Sequence, residues 1–301
     1  MKVLIVGYGS IAKKHYSALK KTDESCKIIA LILKTDIQTN EEIKNIYSWN
    51  DVPADIDFII ISNPTSEHLL SINEAVKLNK PLFIEKPLHL SLDVKDIIET
   101  INNKGIFTYI ACNLRFLECI QFLKNQIQKK RLNEINVYCG SYLPDWRPNV
   151  DFRENYSAIP ELGGGVHIDL IHELDYLYWL FGSPSKVCRN FRNKSTLKIP
   201  AFDYANYLLD YDGFCANVVL NYYRRTPKRS MELVYEDETW DIDLLKNQIK
   251  CDDKILFSSE NIIADTYHAQ MQYFIDCIKN NKESMNTVND AYNVLKICFE
   301  K

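Results

Sequence analysis

Val3-Leu4-Ile5-Val6-Gly7-Tyr8-Gly9-Ser10-Ile11-Ala12 is the stretch on which the reading of this chain turns. Four apolar residues in a row suit a strand buried on both faces. Gly7 to Ala12 fits G-x-G-x-x-G/A. The residues that follow keep helical period, with Ile11, His15, Ala18 and Leu19 on one face and lysines opposite. Gly7 permits the tight turn, Gly9 leaves no side chain in the path of a pyrophosphate, and Ala12 lets helix and strand approach. The start of the helix then offers free N–H groups and partial positive charge to phosphates. Gly7, Gly9, Ser10 and Ile11 are the expected contacts. A glycine turn that binds nothing is the competing reading, and the strand before and helix after weigh against it.

Outward from this turn the first third alternates between two periods. Strand-length apolar runs fall at Val3–Val6, Ile28–Leu33, Phe58–Ile61, Leu82–Ile84 and Phe107–Ala111, with a short strand at Tyr47–Trp49. Helical patterns lie between them at Ile11–Lys21, Glu67–Leu78 and Leu92–Asn102. That alternation predicts an open, doubly wound parallel sheet of about six strands.

The pattern changes after Phe116. A helix is expected at Leu117–Gln128, a strand at Ile135–Tyr142 and one helix from Val166 to Phe181. Strands follow without intervening helices at Val187–Phe191, Asp203–Tyr211, Ala216–Tyr223, Met231–Tyr235 and Thr239–Ile242, which predicts an open, largely antiparallel sheet. Two helices, Tyr267–Asn280 and Asn289–Glu300, close the chain. The expected division is a dinucleotide-binding domain over 1–117 and an α+β domain for substrate and self-association over 118–301.

The 301 residues carry 36 basic and 40 acidic side chains, a net charge of −4, so no nucleic-acid footprint emerges. Arg224, Arg225, Lys228 and Arg229 form the densest basic patch and read as a solvated turn. No apolar run reaches the roughly 20 residues of a membrane span, and the first residues lack the pattern of a signal peptide. Nine scattered cysteines are an odd number without a C-x-x-C pair, which suits small buried side chains in a reducing cytoplasm. His172-Glu173-Leu174-Asp175-Tyr176 is not H-E-x-x-H, and no metal site is expected.

A carboxylate for the adenosine ribose belongs about 20 residues past the glycines. Leu33 stands there, followed by Lys34 and Thr35. A missing carboxylate removes repulsion toward a 2′-phosphate, so NADP is favoured slightly over NAD.

Three further motifs join the fingerprint. Ile61-Ser62-Asn63-Pro64-Thr65-Ser66-Glu67-His68 follows the fourth strand, and Glu85-Lys86-Pro87 the fifth. Gly163-Gly164-Gly165-Val166-His167-Ile168-Asp169-Leu170-Ile171-His172-Glu173-Leu174-Asp175 lies in the second half. Together they resemble the glucose–fructose oxidoreductase / inositol dehydrogenase / MocA (Gfo/Idh/MocA) family over essentially the whole chain. The resemblance implies a Rossmann domain followed by an α/β domain with an open sheet. It also implies hydride transfer between nicotinamide and a secondary alcohol or ketone of a sugar, sugar acid or nucleotide-sugar. Asn63, Pro64, Thr65, His68, Glu85 and Lys86 then belong to the cofactor site.

In the same reading Lys86 meets the substrate oxygen, and His172 moves a proton with Asp169 as its orienting partner. Asp169 and His172 stand i, i+3 where many members use i, i+4, so Asp175 competes for that partnership. Trp146-Arg147 resembles a pair that closes over the cofactor. Arg115 is a candidate for a substrate anion or for an interdomain brace, and Tyr156 a candidate substrate contact. The best-matching branch points to surface-polysaccharide or sugar-acid metabolism, in a homo-oligomer, dimer or tetramer, built on the open sheet. A dinucleotide-binding sensor without turnover and an NAD-dependent glycoside-cleaving enzyme are the alternatives.

Overall fold

The computed structural model describes residues 1–33, 39, 41–127 and 130–300. It divides into two compact units, Met1–Cys112 with Tyr267–Lys301, and Asn113–Thr266.

In the first unit the elements run β1 (Lys2–Val6), α1 (Ser10–Thr22), β2 (Lys27–Leu31), β3 (Lys44–Ile46), β4 (Phe58–Ile61), α2 (His68–Ala75), β5 (Leu82–Ile84), α3 (Lys95–Lys104) and β6 (Thr108–Ile110). All six strands are parallel in the order β3-β2-β1-β4-β5-β6. This is the strand order of two mononucleotide-binding halves meeting at β1 and β4. Val3, Leu4, Ile5 and Val6 are wholly buried. Burial of each such side chain contributes about 1.5–3 kcal/mol, which is why the middle strand reads as an unbroken apolar run. Helix α1 buries Ala12, His15, Ala18 and Leu19 and ends on Lys20 and Lys21, which complement its C-terminal dipole.

The third strand differs from expectation. It is Lys44–Ile46, while Tyr47 is exposed and Trp49–Asp51 form a 3₁₀ turn capped by the Ser48 side chain. The burial of Ile43 and Ile46, rather than the aromatic pair, sets the register.

Five of the second unit's elements precede its long sheet run: α4 (Glu118–Gln126), β7 (Leu132–Tyr142), α5 (Val166–Asp169), α6 (His172–Phe181) and β8 (Lys186–Arg192). Then come β9 (Tyr204–Tyr211), β10 (Phe214–Asn221), β11 (Tyr223–Tyr235), β12 (Thr239–Asp243), β13 (Gln248–Cys251) and β14 (Lys254–Ser258). The eight-stranded sheet has the order β14-β13-β12-β11-β7-β10-β9-β8, and only the β7–β10 pair is parallel. Sequence patterning missed β13 and β14, whose runs are only four and five residues long. It also cut β11 short. The basic patch expected as a turn lies in β11, where Arg225 sits 3.6 Å from the ring centre of Tyr142 and Arg229 pairs with Glu173.

The helix expected over Val166–Phe181 is two helices. Leu170 has φ −99° and ψ 27°, and i→i+3 bonds from Ile171 to Ile168 and from Glu173 to Leu170 tighten the break.

The last two helices, α7 (Thr266–Asn280) and α8 (Val288–Phe299), depart from the expected assignment of 118–301 to one domain. They belong to the first unit. Phe274 is buried with its ring 5.0 Å from Phe58 and 5.3 Å from Phe83, and Asn286 accepts the Ile110 N–H. A β6 edge left bare would expose apolar surface, and the C-terminal segment supplies the cover.

Candidate active site

The dinucleotide end of the first unit is built by backbone. Gly7 has φ +77°, and a Cβ there would stand 2.7 Å from Asn63 Cα, so any side chain is both strained and crowded. Its N–H bonds Leu31 O at 3.0 Å, and Ser62 Oγ donates to Val6 O and Gly7 O, both at 3.1 Å. Gly9 caps α1 without a side-chain hydrogen bond, and a Cβ on it would meet nothing within 4 Å. An uncapped helix start with open space before it fits a dinucleotide pyrophosphate. Ser10 is exposed and Ile11 half-buried beside it. Leu33, 48% exposed, lies just past β2; Lys34 and Thr35 fall outside the described residues.

The loops after β4 and β5 are held by two buried histidines. His68 faces Asn63 O through Nε2 and Pro87 O through Nδ1, each at 3.0 Å, and is 1% exposed. Burial pushes its pKa down, against the opposing pull of Glu85. His68 therefore shapes the site by tying two loops together and is not turned outward to a cofactor. Asn63 is buried and donates to Ser71 Oγ at 2.8 Å, while Pro64 and Thr65 open the turn to α2.

Glu85 is buried too. Its Oε1 lies 2.5 Å from His15 Nε2, and its Oε2 accepts the Lys86 N–H at 3.1 Å. The Lys86–Pro87 bond is cis. Thus Glu85, expected as a cofactor contact, anchors the backbone of the half-buried Lys86 to α1. The sequence placed His15 on the buried face but gave no sign of this partner, 70 residues away.

The second unit gathers its polar groups by tertiary packing. Gly164 packs so closely that a Cβ would stand 2.2 Å from Tyr156 O, and Gly165 has φ +132°. The glycine run thereby presses the Tyr156 turn against α5. Asp169 is buried, and its Oδ2 accepts the Tyr222 hydroxyl at 2.5 Å. The charge of Asp169, more than burial, pushes the Tyr156 phenol above its usual range. Because the helix breaks at Leu170, Asp169 and His172 do not share one continuous helical face. His172 opens α6, half-buried.

Asp175 is taken by Arg115 in a bidentate pair, Nε–Oδ2 2.9 Å and Nη2–Oδ1 2.7 Å, with exposures of 2% and 1%. Arg115 therefore braces the interior of the second unit and is not at hand for a substrate anion. Trp146 donates to Ser141 Oγ at 2.8 Å and sets its ring edge-on to Tyr222 at 5.3 Å, while Arg147 lies 5.3 Å above the Tyr156 ring. Within this unit the Trp-Arg pair thus straddles the two tyrosines. His167, between Phe191 and Phe202, has its pKa lowered to about 4 by burial.

Two family descriptions match this chain: "oxidoreductase family, NAD-binding Rossmann fold" over residues 1–110, and "GFO/IDH/MocA C-terminal domain" over 120–240. The chain belongs to the Gfo/Idh/MocA oxidoreductase family. Scyllo-inositol 2-dehydrogenase (NAD(+)) of Bacillus subtilis strain 168 is 25% identical over 97% of this chain and 90% of that relative. Among solved structures, UDP-N-acetylglucosamine 3-dehydrogenase GnnA from Acidithiobacillus ferrooxidans superposes with a TM-score of 0.80 at 19% identity, covering 99% of this chain and 95% of that one. Scyllo-inositol dehydrogenase from Lactobacillus casei, solved with NAD(H) and scyllo-inositol, gives 0.81 at 21% identity, covering 99% and 94%. The Gfo/Idh/MocA fold is thus shared along nearly the full chain, and this family member carries an NAD-binding Rossmann domain as its first unit.

Proposed function

We propose that this Gfo/Idh/MocA protein transfers a hydride between nicotinamide and a secondary alcohol or ketone of a sugar, sugar acid or nucleotide-sugar. The observation that carries this is the Lys86 loop, clasped by Glu85–His15 on one side and His68 on the other, at the end of a strand beside the Gly7–Ala12 turn. The bound dinucleotide supplies the hydride chemistry, and Gly7, Gly9, Ser10 and Ile11 hold its phosphates. Lys86 polarises the substrate oxygen, and His172 takes or gives the proton. The relatives that act on inositol and on a UDP-sugar support a polyhydroxylated substrate. A role in surface-polysaccharide metabolism follows as the branch to test first.

Leu33 in place of a ribose-binding carboxylate supports NADP(H) over NAD(H). Binding titrations of both cofactors decide it, and tighter NAD unaffected by Lys34→Ala ends the idea. A homo-oligomer on the second unit's sheet is supported by Leu208, 53% exposed on β9; Val218 and Leu220 turn to the buried side. Sedimentation as a monomer at micromolar concentration contradicts it. Among the described residues no helix is long and apolar enough to cross a membrane, and the nine cysteines are free thiols, which supports a cytoplasmic location.

The experiment for the main reading is a panel of inositols, sugars, sugar acids and nucleotide-sugars assayed for interconversion of nicotinamide redox forms. Turnover on one class is the expected result. Tight dinucleotide binding with no turnover on any class leaves the sensor reading in its place.

A further inference from the structure

Tyr222, which no motif singles out, joins β10 to β11 and is wholly buried. Its backbone is held on both sides: its N–H bonds Asp203 O at 3.0 Å, and its carbonyl accepts the Leu143 N–H at 2.8 Å. The Trp146 ring packs edge-on against its own. The phenol is therefore fixed, and its hydroxyl points at Asp169 Oδ2 from 2.5 Å. A donor to a buried carboxylate is among the stronger hydrogen bonds a protein makes.

Asp169 needs such a donor. It is a buried carboxylate at the end of α5, a four-residue helix that breaks at the next position, and a buried charge is costly unless hydrogen-bonded. On the other side stands Tyr156, 39% exposed, capped by Arg147. Burial and the Asp169 charge push the Tyr222 phenol well up, so it remains a donor. The same charge acts on Tyr156.

Resting on the oxidoreductase reading above, we propose that Tyr222 is a positioning residue: its hydroxyl orients the Asp169 carboxylate toward Tyr156, so that Tyr156 donates its O–H to Asp169 and offers its half-exposed oxygen as acceptor to a substrate hydroxyl. No group is oxidised or transferred in this step; one hydrogen bond sets the direction of another.

Tyr222→Phe removes one oxygen and keeps the ring. Ultraviolet titration of phenolate, with Tyr156→Phe used to assign the Tyr156 signal, reads the arrangement without any substrate. Tyr156 ionises at lower pH in Tyr222→Phe, because the carboxylate no longer faces it, and an unchanged Tyr156 titration overturns the proposal. Asp169→Asn, with Tyr222 intact, should bring Tyr156 back toward its usual range. With a substrate in hand, Tyr222→Phe lowers kcat about tenfold, with the cofactor Kd unchanged. In an Asp169→Asn background the same change costs less than about twofold. A full tenfold loss in that background means Tyr222 acts by another route, and the proposal is lost. A wild-type protein that turns over nothing on the panel counts against the oxidoreductase reading, while the titration still decides the role of Tyr222.

Discussion

The candidate residues of the two units are assembled in different ways. In the first unit, six consecutive residues form the dinucleotide turn, and what matters about them is the side chains they lack. In the second, Tyr156, Asp169 and Tyr222 come from a loop, a one-turn helix and a strand junction, and what matters is where their oxygens meet. A site made of backbone tolerates change except at the positions of close approach. A site made of assembled side chains fails through any member, and through the buried pairs that hold its scaffold.

The largest effect should come from the second unit. On the proposed mechanism, His172→Ala removes the general acid/base and should lower turnover by roughly 100- to 10,000-fold, leaving cofactor affinity in place. Lys86→Ala should cost roughly 100- to 1,000-fold by the loss of a preorganised charge. Steady-state kinetics with cofactor titration measures both. Near-normal turnover in the two variants would remove the chemistry from these residues.

Next in size is the scaffold. Arg115→Leu leaves Asp175 buried without its partner, an effect of about 3–5 kcal/mol on stability. Denaturant melts should show it, and a loss below 1 kcal/mol would mean that Asp175 finds another donor.

His167 gives a pH-dependent version. Burial lowers its folded pKa to about 4, from an ordinary histidine value of 6.5. The unfolded chain therefore takes up the proton first, and stability present above pH ~6.5 falls by up to about 3 kcal/mol as pH drops toward ~4. His167→Phe should flatten the wild-type slope of unfolding free energy between pH 6.5 and 5. Parallel slopes in the two proteins defeat the prediction.

The smallest and sharpest contrast lies in the first unit. Gly9→Ala puts a methyl into open space at an ordinary φ, so stability should change by less than about 0.5 kcal/mol. Cofactor binding should weaken roughly tenfold, about 1.4 kcal/mol. Gly7→Ala meets Asn63 at positive φ and should lose about 1–3 kcal/mol of stability. Equal behaviour of the two variants would show that Gly9 does not border the phosphates.

The parallel sheet was readable because buried strands leave continuous apolar runs. Phe58–Ile61 and Leu82–Ile84 match their strands residue for residue. β13 and β14 were not readable, since alternation over four or five partly exposed residues does not rise above the surrounding loop. The helix break at Leu170 was equally hidden, because Val166–Phe181 keeps helical composition throughout and the kink belongs to packing.

By itself the sequence determined the dinucleotide turn and the order of the parallel unit, and it singled out Lys86, Asp169 and His172 as candidates, because each rests on neighbours within a few positions. Tertiary structure alone decided the partners: Glu85 for His15, Tyr222 for Asp169, Arg115 for Asp175, and β6 with its aromatic neighbours for the C-terminal helices. Local spacing fixes a backbone, but a buried charge or phenol must find its counterpart wherever the fold brings one, and that meeting leaves no period in the sequence.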